Sequence, residues 1–143
     1  MGKPLPSFFL DANILFSAAY CTEGRCAALF ALARKKRCRL VTSRFAVEEA
    51  RRNLSDKKPE CLKVFSTLVA ALSLCSEAKP EHLEKAAAIG LDRGDIPILG
   101  AAIDNAEFMV TGDRKHFGPW MGETVYGLEV MGLAETLEAL LLK

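Results

Sequence analysis

Ser7-Phe8-Phe9-Leu10-Asp11-Ala12-Asn13 is the stretch on which the fold turns. Ser7 to Leu10 is a short apolar run without alternation, the pattern of a parallel strand buried on both faces. It stops abruptly on an acid. The pattern returns in Glu107-Phe108-Met109-Val110-Thr111, stopped by Gly112-Asp113. Between these two, Cys38 to Thr42 and Leu72 to Cys75 read as further strands, and Leu128 to Met131 as a short last one. Helical periodicity separates them. Cys26, Leu29, Phe30 and Ala33 recur on one face of a helix over residues 23–36. Ser43 suits the N-cap of a helix through Leu54, followed by a polar loop over residues 53–59. Residues 60–71, 81–89 and 134–142 read as helices, as does a segment with Pro97 in its first turn and Ile98, Leu99, Ala102, Ile103 and Ala106 on one face. Strands alternating with helices predict a three-layer α/β/α sandwich around a mainly parallel sheet of four to five strands. No internal repeat or linker interrupts the pattern, so residues 1–143 read as a single domain.

Composition narrows the class. Of 143 residues, 50% are hydrophobic and 26% charged, which excludes a disordered chain, a collagen or a low-complexity tail. No apolar run approaches the roughly 18 residues of a membrane span. The apolar stretch before Asp11 is too short for a signal peptide, and Pro6 stands where a myristoylation site needs Ser or Thr. The five cysteines form no C-x-x-C pair, and only two histidines accompany them. Free thiols in a reducing cytoplasm are therefore expected, not a zinc site. The net charge of +1 hides an uneven distribution: residues 1–71 hold 13 Lys and Arg against 6 Asp and Glu, and residues 72–143 hold 6 against 12.

In an open parallel sheet, ligands gather outside the carboxyl ends of the strands. Asp11 and Asp113 each follow a predicted strand directly. Glu48 or Glu49 comes from the helix after the second strand, and Asp92 or Asp95 precedes the Pro97 helix. Each acid has an ordinary structural explanation: Asp11 and Asp95 as helix caps, Asp113 as an Asx-turn residue. Together they do not. Two carboxylates about 4 Å apart repel by about 4 kcal/mol at an effective dielectric near 20. Hard divalent cations such as Mg²⁺ and Mn²⁺ require such clusters of oxygens, and two such ions can clamp a phosphodiester for in-line attack by water. Glu48 has Arg44, Arg51 and Arg52 as helical neighbours and reads as a solvated ion-pair position. Glu49 has Phe45 and Ala46 behind it and lies nearer the buried stripe, so Glu49 is favoured. Asp95, beside the helix start, is favoured over Asp92 in its Gly-flanked loop.

These segments resemble the PIN domain (PilT N-terminus) family, which includes VapC-type toxins of toxin–antitoxin pairs. The likeness runs from Phe8 to about Phe117. It rests on Phe9 to Leu15, on Leu40-Val41-Thr42-Ser43 with Glu49 six residues on, on Asp92 to Ala102, and on Val110 to Phe117. The resemblance implies a metal-dependent endoribonuclease with Asp11, Glu49, Asp95 and Asp113 as its acidic quartet and Mg²⁺ or Mn²⁺ as cofactor. Asp11 and Asp113 match the positions that hold the metal most directly; Asp95, with Glu49, matches those that complete the site and orient water. Asn13 and Thr111 match positions that steady the carboxylates. An antitoxin protein covering the acidic rim, often with an Arg, and a homodimer are implied partners, beside the RNA substrate.

Arg34, Lys35, Lys36, Arg37 and Arg39 place five cations in six residues. They read either as a solvated helix end or, with Arg44, Arg51 and Arg52, as a surface that tracks RNA phosphates. His116 reads as a surface or packing residue, and the Phe residues and Trp120 as packing, because no aromatics interleave with the basic run. Two other functions compete. An aspartyl-phosphate phosphatase needs a second acid where Asn13 stands, and an amide cannot relay a proton. A module that binds RNA or protein without cutting remains the alternative.

Overall fold

The computed structural model describes residues 4–141. Strands β1 (Ser7–Leu10), β2 (Arg39–Ser43), β3 (Ser73–Cys75), β4 (Phe108–Val110), β5 (Thr124–Val125) and β6 (Leu128–Met131) form one sheet. Helices α1 (Ala12–Tyr20), α2 (Arg25–Arg34), α3 (Arg44–Lys57), α4 (Leu62–Ala70), α5 (Pro80–Ala88), α6 (Ile96–Asn105), α7 (Arg114–Phe117) and α8 (Leu133–Leu141) flank it, giving a three-layer α/β/α sandwich. The strand order is β3-β2-β1-β4-β6-β5. Every pairing is parallel except β5 with β6.

β1 is the centre of this arrangement. Its four residues are all buried, Phe9 and Leu10 completely, because helices cover both faces. Phe9 lies opposite Val41 of β2 and Met109 of β4. The order reverses at this strand: β2 and β3 lie on one side, β4, β6 and β5 on the other. Such a switch point opens a crevice at the carboxyl ends of the two diverging strands, here β1 and β4. The sites at which those strands end are therefore the positions of Asp11 and Thr111–Asp113.

Several boundaries differ from the sequence expectation. The sheet has six strands where four to five are expected. The addition is β5, a two-residue strand joined to β6 through Tyr126 and Gly127, both at positive φ (51° and 84°). That is the backbone of a tight hairpin turn matched to strand twist, and β5 is too short to leave a hydrophobic pattern. α3 runs on to Lys57, through the segment expected to be a loop. Buried Ala46, Val47, Ala50 and Leu54 hold one face of α3 to the core, while its polar residues face outward. Ser43 caps it, its Oγ accepting from the Ala46 amide at 3.2 Å.

Packing also fixes how closely α6 sits against α5. A Cβ at Gly100 would come within 2.9 Å of the Ala78 Cβ and 3.3 Å of Leu83 Cδ2. Only a glycine lets α6 sit this close to α5 and the segment before it.

Candidate metal centre

Asp11 stands one residue past β1 and is the N-cap of α1. Its Oδ1 accepts from the Ala12 amide at 2.7 Å, which fixes the carboxylate plane. Its Oδ2 accepts from the Thr111 hydroxyl at 2.7 Å and from Asn13 Nδ2 at 3.1 Å. Thr111 Oγ1 in turn accepts from the Asp113 amide at 3.1 Å, and Asn13 Oδ1 accepts from the Gly112 amide at 2.9 Å. Asn13 and Thr111 thus lace the carboxyl ends of β1 and β4 around one buried carboxylate. Thr42, at the end of β2, adds a third strand by donating to the Leu10 carbonyl at 2.9 Å.

Asp113 is the N-cap of α7: its Oδ1 accepts from the Lys115 and His116 amides at 3.1 and 3.0 Å. Its other oxygen is turned toward His116. Asp95, in a 3-10 turn before α6, makes no cap hydrogen bond. For Asp11 and Asp113, capping is therefore how the carboxylates are aimed, not an alternative to their gathering.

One cavity of about 280 Å³ is lined by Asp11, Glu49, Asp95 and Asp113 together with Asn13, Phe16, Ser17, Asn53 and Lys57. Four acids from four separate parts of the chain meet there. Glu48 is not among them; it pairs with Arg51 on the solvent side of α3. Asp92 is exposed at the rim.

Burial raises the proton affinity of Asp11, Glu49 and Asp95. Desolvation pushes Asp11 above the usual carboxylate range, the donors Thr111, Ala12 and Asn13 oppose it, and the Asp113 charge adds to it. Burial raises Glu49, and Asp11 raises it further while Arg52 works against both. Asp95 is pushed up to about 6, chiefly by desolvation, with His116 opposing and the other three acids adding.

His116 is not the packing residue expected from sequence. Its Nδ1 lies 2.9 Å from Asp95 Oδ2 and 2.8 Å from Asp113 Oδ2, and its Nε2 lies 2.8 Å from Asp92 Oδ2. Close as they are, Nδ1 and Asp95 Oδ2 are buried and form no hydrogen bond. Buried polar atoms without partners are rare because each costs about 1–3 kcal/mol. Donor atoms crowded at about 3 Å with unused lone pairs suit the coordination sphere of a cation, whose octahedral ligands stand at about 2.0–2.1 Å. Asp92, Asp95 and His116 each offer a ligand atom, all within 4.8 Å of one another, so this cluster is capable of coordinating a metal ion.

Sequence reasoning missed four contributors, and each had a signal. His116 is three residues past Asp113, a spacing that folds a side chain back over a helix cap. Asn53 and Lys57 continue the helical stripe of Glu49 at i+4 and i+8, hidden by reading residues 53–59 as a loop. Phe16 sits one turn beyond Asn13 on α1; it lines the cavity and stacks on Tyr20 at 5.9 Å, with the Lys57 and Lys58 ammonium groups over the two rings. Trp120 packs against the core.

The structure does not bring Arg34, Lys35, Lys36, Arg37 and Arg39 to the cavity. They lie between the end of α2 and the start of β2, at the amino end of the sheet. The five residues of β2 separate them from the acids by about 16 Å, at about 3.3 Å per residue.

A buried acidic cleft at the switch point of an α/β/α sheet defines a class, and the comparisons name it. The sequence pattern of the PIN domain matches residues 7–115. The chain belongs to the PIN domain family. No curated protein sequence matches it significantly. Among solved structures it is similar to a chain of DNA-bound VapBC from Salmonella typhimurium, at TM-score 0.69 and 16% identity over 90% of this chain and 99% of that one. PAE2754 from Pyrobaculum aerophilum is similar at TM-score 0.69 and 16% identity, over 96% and 98%. VapBC2 from Rickettsia felis, bound to a DNA fragment from its promoter, is similar at 0.65 and 18%, over 88% and 98%.

Proposed function

We propose that this chain is a metal-dependent endoribonuclease that hydrolyses RNA phosphodiester bonds, and that it is the toxin of a type II toxin–antitoxin pair. One observation carries the catalytic part: Asp11, Glu49, Asp95 and Asp113 line a single cavity in which a buried carboxylate oxygen has no hydrogen-bond partner. A structural protein avoids that gathering of like charge. Family membership and the likeness to VapBC structures support the toxin part.

Asp11, Asp95 and Asp113 are the residues to hold Mg²⁺ or Mn²⁺. Such an ion, when bound, lowers the pKa of water and offsets charge on the phosphate. The protein's own residues do the rest. Asn13 and Thr111 keep Asp11 in one orientation, so no reorganisation is needed when charge develops. Glu49 takes the proton of the attacking water, its raised affinity bringing it nearer the working pH of a base. Lys57, which lines the cavity, and Arg52, whose charge reaches Glu49, are the cations of the same helix that would attract the RNA phosphates. An antitoxin segment that offers an Arg to the acids would close the same cleft. The cytoplasm is the proposed location, and among the described residues no helix is long and apolar enough to cross a membrane.

The direct test is Asp11→Asn. With Mn²⁺ present, cleavage of a labelled RNA should fall at least 100-fold while far-ultraviolet circular dichroism is unchanged, and a chelator should silence the wild type. Wild-type turnover in the variant contradicts the assignment. RNA retained but uncut by the wild type with Mn²⁺ would favour binding without catalysis.

A further inference from the structure

An acidic quartet made only of carboxylates has no reason to prefer Mn²⁺ over Mg²⁺, since both are satisfied by oxygen donors. This cleft contains a nitrogen. His116 presents Nδ1 to Asp95 Oδ2 at 2.9 Å, and neither buried atom makes a hydrogen bond. The Asp95 side chain is only 12% exposed and its Oδ2 is buried, so water does not readily serve that oxygen in place of a partner. On the far side of the ring, Asp92 Oδ2 stands 2.8 Å from Nε2. That is the placement of the carboxylate behind a metal-bound histidine, where it fixes the ring and makes its free nitrogen a better donor. Asp113 Oδ2 lies 2.8 Å from the same Nδ1, bringing a second carboxylate to the same edge of the ring.

Resting on the metal-dependent reading above, we propose that His116 is an imidazole ligand of that ion. His116 Nδ1 and Asp95 Oδ2 share the ion, Asp92 positions the ring, and the nitrogen donor makes the centre hold Mn²⁺ in preference to Mg²⁺. The preference follows from donor chemistry. Mg²⁺ gives up water reluctantly and keeps to oxygen ligands; Mn²⁺ also favours oxygen, but as the first member of the transition series it accepts an imidazole nitrogen where Mg²⁺ does not. A histidine three residues after Asp113 therefore sets which ion the cleft selects, and Asp92 acts through that histidine, not on the ion. This gives Asp92 and Asp95 separate tasks although they are three residues apart.

Isothermal titration of the full chain with Mn²⁺ alone and Mg²⁺ alone tests this without any RNA. The wild type should bind Mn²⁺ at least tenfold more tightly than Mg²⁺. His116→Ala should weaken Mn²⁺ by tenfold or more and change Mg²⁺ little. His116→Asp, an all-oxygen centre, should bring the two affinities within about threefold. Asp92→Asn, at an exposed position that keeps the fold, should weaken Mn²⁺ severalfold, and it decides the matter if circular dichroism shows the His116 variants unfolded. With Co²⁺ as probe, the visible absorption of the wild type should shift in His116→Ala as a nitrogen ligand is lost. Unchanged Mn²⁺ and Mg²⁺ affinities in folded His116→Ala, or in Asp92→Asn where that variant decides, overturn the role of His116 and leave the metal-dependent reading intact. A wild type that binds neither ion overturns that reading itself.

Discussion

The two ends of the same sheet carry opposite charge for opposite reasons. At the carboxyl end, Asp11, Glu49, Asp95 and Asp113 point into one cavity, and burial raises the proton affinity of the first three. At the amino end, the cations of residues 34–39 are exposed, apart from the buried Cys38 between them. They follow the last turn of α2, where cations complement the helix dipole. Arg37 is tied into the fold, its Nη2 donating to the Leu140 carbonyl at 2.9 Å. Beside it Pro4, Leu5, Pro6, Phe8, Phe108, Met131, Ala139 and Leu140 line an apolar cavity of about 300 Å³. The lesson is that density of charge along a sequence is a weaker guide than how charge is held. Exposed cations cost the fold nothing, whereas a gathering of acids that includes a buried oxygen without a partner, Asp95 Oδ2, needs an explanation.

That contrast can be broken or sharpened by mutation. Glu49→Gln should cost the largest effect, a loss of at least 100-fold in kcat for RNA cleavage with Mn²⁺ affinity changed far less. A matching loss of Mn²⁺ binding would make Glu49 a ligand, not a base.

Next comes stability. Because Asp95 has its proton affinity raised to about 6 from 3.8, the folded state holds more protons than the unfolded one between those values. The metal-free protein should therefore lose stability as pH rises through about 4 to 6, and Asp95→Asn should remove that loss. At pH 7 without metal, Asp95→Asn should be the more stable protein by about 1–2 kcal/mol, a rise of several degrees in Tm. A lower Tm for the variant would mean that the carboxylate is well paired after all.

Smaller effects separate the two ends. Lys57→Ala should weaken RNA binding a few-fold and reduce the slope of log K against log salt by about one. The triple change Arg34→Ala, Lys35→Ala, Lys36→Ala should alter cleavage by less than about twofold. A larger loss there than at Lys57 would place RNA across the amino end and reverse the comparison.

The central strands were legible because burial on both faces leaves an uninterrupted apolar run, as in Phe8-Phe9-Leu10 and Phe108-Met109-Val110. The gathering of the acids at one rim was legible because Asp11 and Asp113 follow strands, Asp95 precedes a helix and Glu49 lies in the second turn of another, all at the same edge. What the sequence concealed is tertiary. β5 is two residues long and depends on the Tyr126-Gly127 turn. The polar end of α3 looks like a loop until Leu54 is seen buried, and only then do Asn53 and Lys57 fall in line with Glu49. His116 carries no chemical meaning on its own; Asp95, 21 positions earlier in the chain, supplies it. The basic run was conspicuous for its composition, but position along β2 decides where it lies.

The most direct measurement is anomalous diffraction from crystals of the full chain soaked in Mn²⁺. Cations relieve the repulsion of these acids if a manganese peak stands within coordinating distance, about 2.0–2.4 Å, of Asp95 Oδ2 and of at least one of Asp11 and Asp113. A fully soaked crystal with no peak in the cleft, and the four carboxylates undisturbed, would contradict it.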